Sequence, residues 1–448
     1  MSRQADVRLL LLAGILLILA ALLVAAVTGC SLAASPTPID PSGRTTPSPV
    51  SATTLPTTPS PAPTPIEPRP AHITLTVWGP SQFAPGETST ASNVLKGQYE
   101  AFATENEDLG VRYVTKAPYG ESGVVDFLLA ASYAAPSTLP DVVIVDAFQL
   151  EPLVREGLAQ PLQGLIADEL RADLFPFVYG ACTFDGELVA IQFEADIEHL
   201  VYYTEALEEP PATWAELFAE TISYTFPAGG EAGRVNDSFL IQYMALGGQL
   251  IDEEGRPALE SSSLQRVLRL YDALRMWEVS PPRVLELSDL EDCWQAYTEG
   301  NVTVSHISSW RYLTSRPVLQ DTTFAPLPTE LGIPATMSRG WAFVIVTESP
   351  YRQEAAVRLI EWLMTPQNLA QWCQASNHLP ARPSALRLTG WPVDYIDFLE
   401  SQLPNAFYRP STPEFERIAR ALQVAVQDVL TAERTPRQAS TQVMESLQ

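Results

Sequence analysis

Two hydrophobic periods take turns along residues 72–448: a two-residue alternation and the three-to-four spacing of a helix. Residues 73–78 (ITLTVW) alternate and are rich in β-branched side chains, which predicts a strand that Gly79-Pro80 ends. A helix over 92–106, a strand over 111–115 and a helix over 123–133 follow, the last with Val124, Val125, Phe127, Leu128 and Leu129 as its apolar content. Residues 141–145 (DVVIV) form a continuous apolar run, as a strand covered on both faces requires. A short helix over 150–157 closes at Gly157. This β-α-β-α-β order predicts a mostly parallel sheet with helices packed on its faces.

A second series repeats the scheme. Residues 187–193 and 200–203 are strand-like, and Thr213-Trp-Ala-Glu216 is a capping box after Pro210-Pro211. Residues 263–277 have an apolar helical face of Leu264, Val267, Leu268, Tyr271 and Leu274. Strands over 301–307 and 341–347 and a helix over 354–364 follow, and Thr365-Pro366 restarts a helix with Pro in its first turn. The last helix, 413–430, carries Phe415, Ile418, Ala419, Leu422, Val426 and Leu430 at helical spacing. Trp214 and Trp277 fall inside helices and are expected in the core.

One segment fits neither period. Residues 9–27 are a nineteen-residue apolar run preceded by Arg3 and Arg8 and ended by Val27-Thr28-Gly29-Cys30. A run of this length can span a bilayer, yet no basic stop-transfer cluster follows it. Gly29-Cys30 at its very end resembles the lipobox of bacterial lipoproteins, in which cleavage precedes the Cys and lipid is attached to its thiol. Residues 1–29 are therefore expected to be a signal peptide and Cys30 a lipidation site, with the rest of the chain outside the cytoplasm on the outer face of the cell membrane. Residues 30–70 are dominated by Pro, Ser, Thr and Ala, which cannot bury enough surface to offset their ordering entropy, and read as a disordered tether. Fully extended, it would reach on the order of 120 Å at ~3.1 Å per residue.

Composition narrows the choice of partner. With 53 acidic against 27 basic residues the formal charge is −26, which excludes a basic face for nucleic acid and leaves membrane attachment to the anchor. Cys182, Cys293 and Cys373 match no zinc or redox spacing and are expected as buried thiols, with no pairing fixed by sequence. His72, His199, His306 and His378 are scattered. No metalloprotease, nucleophile-elbow or phosphate-loop motif occurs, so no cofactor or metal is implied. The acidic clusters 252–255 and 289–292 lack calcium-loop spacing and read as solvated turns.

Seven motifs in order then carry a resemblance. They are LPDVVIVD (139–146); LVREGLAQPL (153–162); FDGELVAI (184–191) with LVYY (200–203); PPATWAE (210–216); YTEGN (297–301) with SSW (308–310); RGW (339–341); and the 355–364 helix with PARPS (380–384). Together they are similar to the extracellular solute-binding proteins of ABC importers, the maltose- and oligosaccharide-binding group. The resemblance implies a two-lobed α/β fold, each lobe a mostly parallel sheet flanked by helices, with a ligand cleft between the lobes. It places lobe one at 71–182 and 312–365 and lobe two at 183–311 and 366–440. It also implies a monomer, without enzymatic activity, that delivers a small polar solute, most naturally a sugar, to the transmembrane subunits of a permease. Gln192 stands where the family usually has Pro, Thr204 where it has Asn, and Asp146 where it has a small or aromatic residue.

Sugars present hydroxyls at ring edges and C–H patches on ring faces, so a sugar site needs carboxylates or amides in the plane and aromatic rings above it. Trp78 and Asp146 end strands, where ligands meet open α/β sheets. Glu194 and Asp196 follow the crossover strand, and Trp310 and Trp341 lie in the hinge-associated motifs. The resemblance adds Asn236 and Asp237, in a loop that often carries cleft residues, and Tyr408, where the family often places a stacking aromatic. Two other classes stay open: a receptor that presents its ligand to a membrane sensor, and an anchored glycosidase with two carboxyls about 5–10 Å apart.

Overall fold

β1 (Ile73–Pro80) lies between β2 (Leu109–Lys116) and β3 (Val142–Asp146), parallel to both. The alternation explains its place: Ile73, Leu75 and Val77 are buried while Thr74 is exposed. The helices Thr90–Glu105 and Val124–Ala134 make the two crossovers, and β3 is buried from Val142 through Val145. The computed structural model describes residues 70–219 and 222–448. The expected signal peptide, Cys30 and the tether up to residue 69 lie outside them.

Past β3 the chain forms a hairpin, β4 (Thr183–Phe184) and β5 (Glu187–Leu188), then β6 (Ile191–Gln192) and the ten-residue β7 (Glu194–Tyr203). β8 (Tyr224–Thr225), β9 (Val304–Ser308), β10 (Thr322–Ala325), β11 (Ser338–Arg339), β12 (Trp341–Ile345) and β13 (Leu379–Pro380) complete the strands. One sheet has the order β2-β1-β3-β12-β6 and the other β10-β7-β9-β8, with β11 and β13 also pairing with β7.

The mostly parallel sheets expected for each lobe are found only in part. β2-β1-β3 is parallel, but β12 runs antiparallel to both β3 and β6, and β7 is antiparallel to β9, β10, β11 and β13. The cause is topological: the late strands are return passes that re-enter an existing sheet. The expected strand 187–193 falls on β5 and β6, and of β7 itself only 200–203 was expected as a strand. Glu194, Asp196, Glu198 and His199 make its first half look like a loop, yet all but Asp196 are buried.

The core divides in two, and two segments lie on the other side of the expected boundaries. Residues 369–406, expected in lobe two, contribute Leu369, Trp372, Leu386, Tyr395 and Leu403 to the first core. Helix Pro366–Ser376 is fastened to helix Thr90–Glu105 there, with the Gln98 amide donating to the Asn368 carbonyl at 2.7 Å. Conversely Ala325, Leu327, Ala335 and Met337, expected in lobe one, join the second core, because β10 pairs with β7 over residues 200–203. Helices Ser261–Met276, Pro413–Leu430 and Pro436–Ser446 pack together in that half. The Thr213–Glu216 capping box is present. Trp277, expected in the core, is 74% exposed, because it follows the last turn of its helix rather than its apolar face.

Gly340 separates β11 of the second sheet from β12 of the first. A Cβ there would collide with the Glu194 carbonyl and the Gln192 amide. Gly340→Ala should therefore destabilise the protein by roughly 1–3 kcal/mol, the usual cost of overpacking. Gly97→Ala, on an exposed helix face with nothing near its Cβ, should stabilise it by about 0.5–1 kcal/mol. Denaturant melts of both variants check the pair; equal effects would contradict the close approach at Gly340.

Candidate binding cleft

Side chains on a strand alternate between faces, so Glu194, Asp196 and Glu198 of β7 form a row of three acids on one face. Each is satisfied differently. Glu194 is 1% exposed; its Oε1 accepts the Trp341 N–H at 2.7 Å, and its Oε2 has no partner. Burial pushes this carboxyl well above the usual carboxylate range; the Trp341 N–H opposes the push, and the charges of Asp196 and Asp146 add to it. Asp196 Oδ1 accepts the Ser309 hydroxyl at 2.7 Å and the Trp310 N–H at 2.9 Å, both in the first turn of helix Ser309–Ser315, where a negative charge is favoured. Glu198 accepts from the Ser238 hydroxyl and pairs with His306 Nδ1, and His306 Nε2 meets the Tyr224 hydroxyl.

A second buried acid lies beside the row. Asp237, at the start of helix Asp237–Ala245, is 2% exposed and held by both Arg339 and Arg409. Burial works against its ionisation, but the two guanidiniums outweigh burial and hold the carboxyl below its usual range.

The acid row borders a cleft of about 680 Å³. Gln192, Glu194, Asp196, Gly340 and Trp341 come from the crossing strands. Asp146 and residues 147–149, from the end of β3, face it together with Tyr119. Tyr408 and Arg409 border it from the segment before helix Pro413–Leu430, as do Arg234 and Glu416, which are ion-paired at 2.9 Å. The Tyr119 and Trp341 ring centroids are 5.8 Å apart, and the Tyr119 hydroxyl donates to Asp146 Oδ2 at 2.7 Å. An adjoining recess of about 270 Å³ shares Asp196 and Arg339 and is lined by Glu198, Asp237 and Trp310. The site thus offers carboxylate acceptors around aromatic rings, a chemistry suited to a hydroxylated or cationic solute.

The expected site residues fall into three groups. Asp146, Glu194, Asp196, Trp341 and Tyr408 meet at the cleft. Asn236, Asp237 and Trp310 line the recess with Asp196, and the Asn236 amide is spent on the Pro227 and Ser288 carbonyls. Trp78 is at neither: its ring meets Phe127 edge-on at 5.4 Å, with Lys116 Nζ 4.3 Å from its centroid. Sequence reasoning missed Tyr119, Arg339, Arg409 and His378, all at the cleft. Arg339 was visible inside the RGW motif, and its neighbour Trp341 pointed to it. Nothing local marks Tyr119 or Arg409, because each reaches the site from a loop distant in sequence.

The two buried acids should pull the pH profile of the unliganded protein in opposite directions. The raised Glu194 carboxyl gives stability that is present at low pH and lost as pH climbs through its folded value. Glu194→Gln should therefore exceed the wild type at pH 8 by about 1–3 kcal/mol and match it near pH 4. The lowered Asp237 carboxyl gives stability present at neutral pH and lost as pH falls through its folded value. Asp237→Asn should cost about 3–5 kcal/mol at pH 7, with the gap closing towards pH 3. Denaturant melts across this range check both, and a parallel response would contradict the assignment.

Comparison with known proteins places the chain. The family model described as "Bacterial extracellular solute-binding protein" matches residues 98–397, two thirds of the sequence. The maltotriose-binding protein of Pyrococcus abyssi is 21% identical over 303 residues, 65% of this chain and 66% of that protein. Among solved structures, the sugar-binding protein MalE of Xanthomonas citri superposes with a TM-score of 0.70 at 20% identity, over 84% of this chain and 96% of that one. The cyclic α-maltosyl-1,6-maltose-binding protein of Arthrobacter globiformis gives 0.69 at 20% identity, over 84% and 98%. These superpositions carry the two-lobed fold, and the sequence match carries the membership: this chain belongs to the bacterial extracellular solute-binding protein family.

Proposed function

We propose that the protein is a lipid-anchored extracytoplasmic receptor that captures a sugar or oligosaccharide in the β7 cleft and delivers it to an ABC permease by closing. The single observation that carries this reading is the convergence in the cleft of the Asp146, Glu194 and Asp196 carboxyls with the Tyr119, Trp341 and Tyr408 rings. Trp341 and Tyr119 present apolar surface for sugar C–H faces, and Asp146, Glu194 and Asp196 form hydrogen bonds with the hydroxyls at ring edges. The names of the relatives favour the same class, since they bind maltotriose, other maltosides or sugar.

Two short links join the two sheets here: Phe193 between β6 and β7, and Gly340 between β11 and β12. Links of this kind let two rigid halves close on a ligand. Closure excludes water, which strengthens each hydrogen bond to the ligand. The free energy of binding sets how far the population moves to the closed form, and the permease recognises that form. A lipid anchor at Cys30 keeps the receptor near the permease.

Thermal unfolding of the purified chain against mono- and oligosaccharides, polyols and amino acids tests the receptor. A ligand present at about 100 Kd stabilises the native state by roughly 2.7 kcal/mol, so a saccharide should raise the melting temperature. A cooperative melt unmoved by every saccharide would contradict the reading. Acyl labelling in the native cells should mark the wild type and be lost in Cys30→Ser; equal labelling of both would remove the anchor.

A further inference from the structure

We propose that the solute carries a protonated amine, as an amino sugar does, and that Glu194 is the residue that selects it. This rests on the receptor reading above and specifies its ligand. The argument is a charge count at the cleft. Arg339 and Arg409 are both engaged by Asp237, and Arg234 is engaged by Glu416. Burial pushes the His378 imidazole below its usual range, towards the neutral form. Asp237 thus offsets one of its two guanidiniums and Glu416 offsets Arg234, which leaves one net positive charge among the arginines bordering the cleft.

The acids are not matched in the same way. Asp146 is met only by the Tyr119 hydroxyl and the Phe148 N–H. Asp196 is met by one hydroxyl and one N–H, both on Oδ1. Glu194 has one N–H and an orphaned Oε2 while only 1% exposed. A buried polar atom left without a partner is costly, so the site is incomplete until a ligand group meets Oε2. Asp146 and Asp196, with Glu231 on the cleft wall, outnumber that one remaining positive charge, which repels anionic solutes and attracts cations.

A neutral hydroxyl could fill the geometry but not the charge. The groups facing Glu194 are Asp196 on its own strand, Asp146 on β3, Tyr119, Arg339 on β11, His378, and Cys373 on helix Pro366–Ser376. In that setting the free carboxyl holds its proton above the usual carboxylate range. When an ammonium group docks, the carboxyl ionises, its proton leaves to solvent, and the ammonium and carboxylate form a buried, hydrogen-bonded pair. A neutral sugar displaces no proton. The amine ligand should therefore bind more tightly as pH rises, up to the free carboxyl's own value.

Calorimetric titration of the purified chain with matched pairs tests this: glucose and glucosamine, then cello-oligosaccharides and β-1,4-glucosamine oligomers of the same length, with glucuronate as the anionic member. Each is run in phosphate and in Tris, so that the difference in enthalpy counts protons released. The expected result is roughly tenfold or greater preference for an amine member over its neutral partner, with proton release, and loss of both in Glu194→Gln. The proton count and pH dependence of the wild type stand even if that variant fails to fold. Equal or tighter binding of a neutral or anionic member overturns the inference and leaves the receptor reading intact. Silence from every saccharide, neutral or charged, removes both.

Discussion

One strand belongs to both halves of this protein, and the rest follows from how that strand is satisfied. β7 leaves the first sheet through Phe193, pairs with β13 and β11 at its start, and pairs with β9 and β10 over its remaining length. Its first half carries acids at alternate positions in a nearly dry interior, where an ionised carboxylate is expensive unless it is paired or hydrogen-bonded. The surrounding elements supply what is needed. Trp341 donates an N–H to Glu194, the first turn of helix Ser309–Ser315 faces Asp196, and His306 and Ser238 meet Glu198. Of these three acids only Glu194 has a buried oxygen left without a partner, and it lies at the cleft between the sheets.

The same constraint orders the neighbouring positive charges. Asp237 holds both Arg339 and Arg409, so the cleft keeps more acidic acceptors than uncompensated positive charge. A receptor for anions would need those guanidiniums exposed and unpaired, since bidentate Arg is the usual partner of carboxylate and phosphate. Where the family usually has Pro, Gln192 instead spends its amide on the Glu194 carbonyl at 3.0 Å, bracing the crossing rather than presenting a donor.

Much of this was legible in the sequence. The parallel β1–β3 unit, the capping box and the helix starting at Pro413 follow from periodicity and end signals alone, and their observed bounds lie within a few residues of the expected ones. Ordered motifs pointed to a two-lobed fold before any contact was known. The failures have physical causes. β7 was hidden because its polar residues are buried, which inverts the rule that polar runs are loops. The lobe boundaries shifted because β10 returns to β7 and helix Pro366–Ser376 packs on helix Thr90–Glu105, both across long connections that local patterning cannot see. Asp146, Glu194, Asp196, Trp341 and Tyr408 were found from strand ends and motif position, whereas Tyr119 and Arg409 reach the cleft through tertiary contact only.

The central claim is that β7 and its neighbouring links let the two halves close on a solute. The most direct measurement places spin labels at two exposed positions, Tyr133→Cys in the first half and Trp277→Cys in the second, each 74% exposed in the native protein. With Cys30 replaced by Ser, the remaining native Cys182, Cys293 and Cys373 are buried and leave the labelling selective. The account predicts that saturating a stabilising saccharide shifts the inter-label distance distribution to a new, narrower population. An unchanged distribution with the ligand demonstrably bound would contradict it.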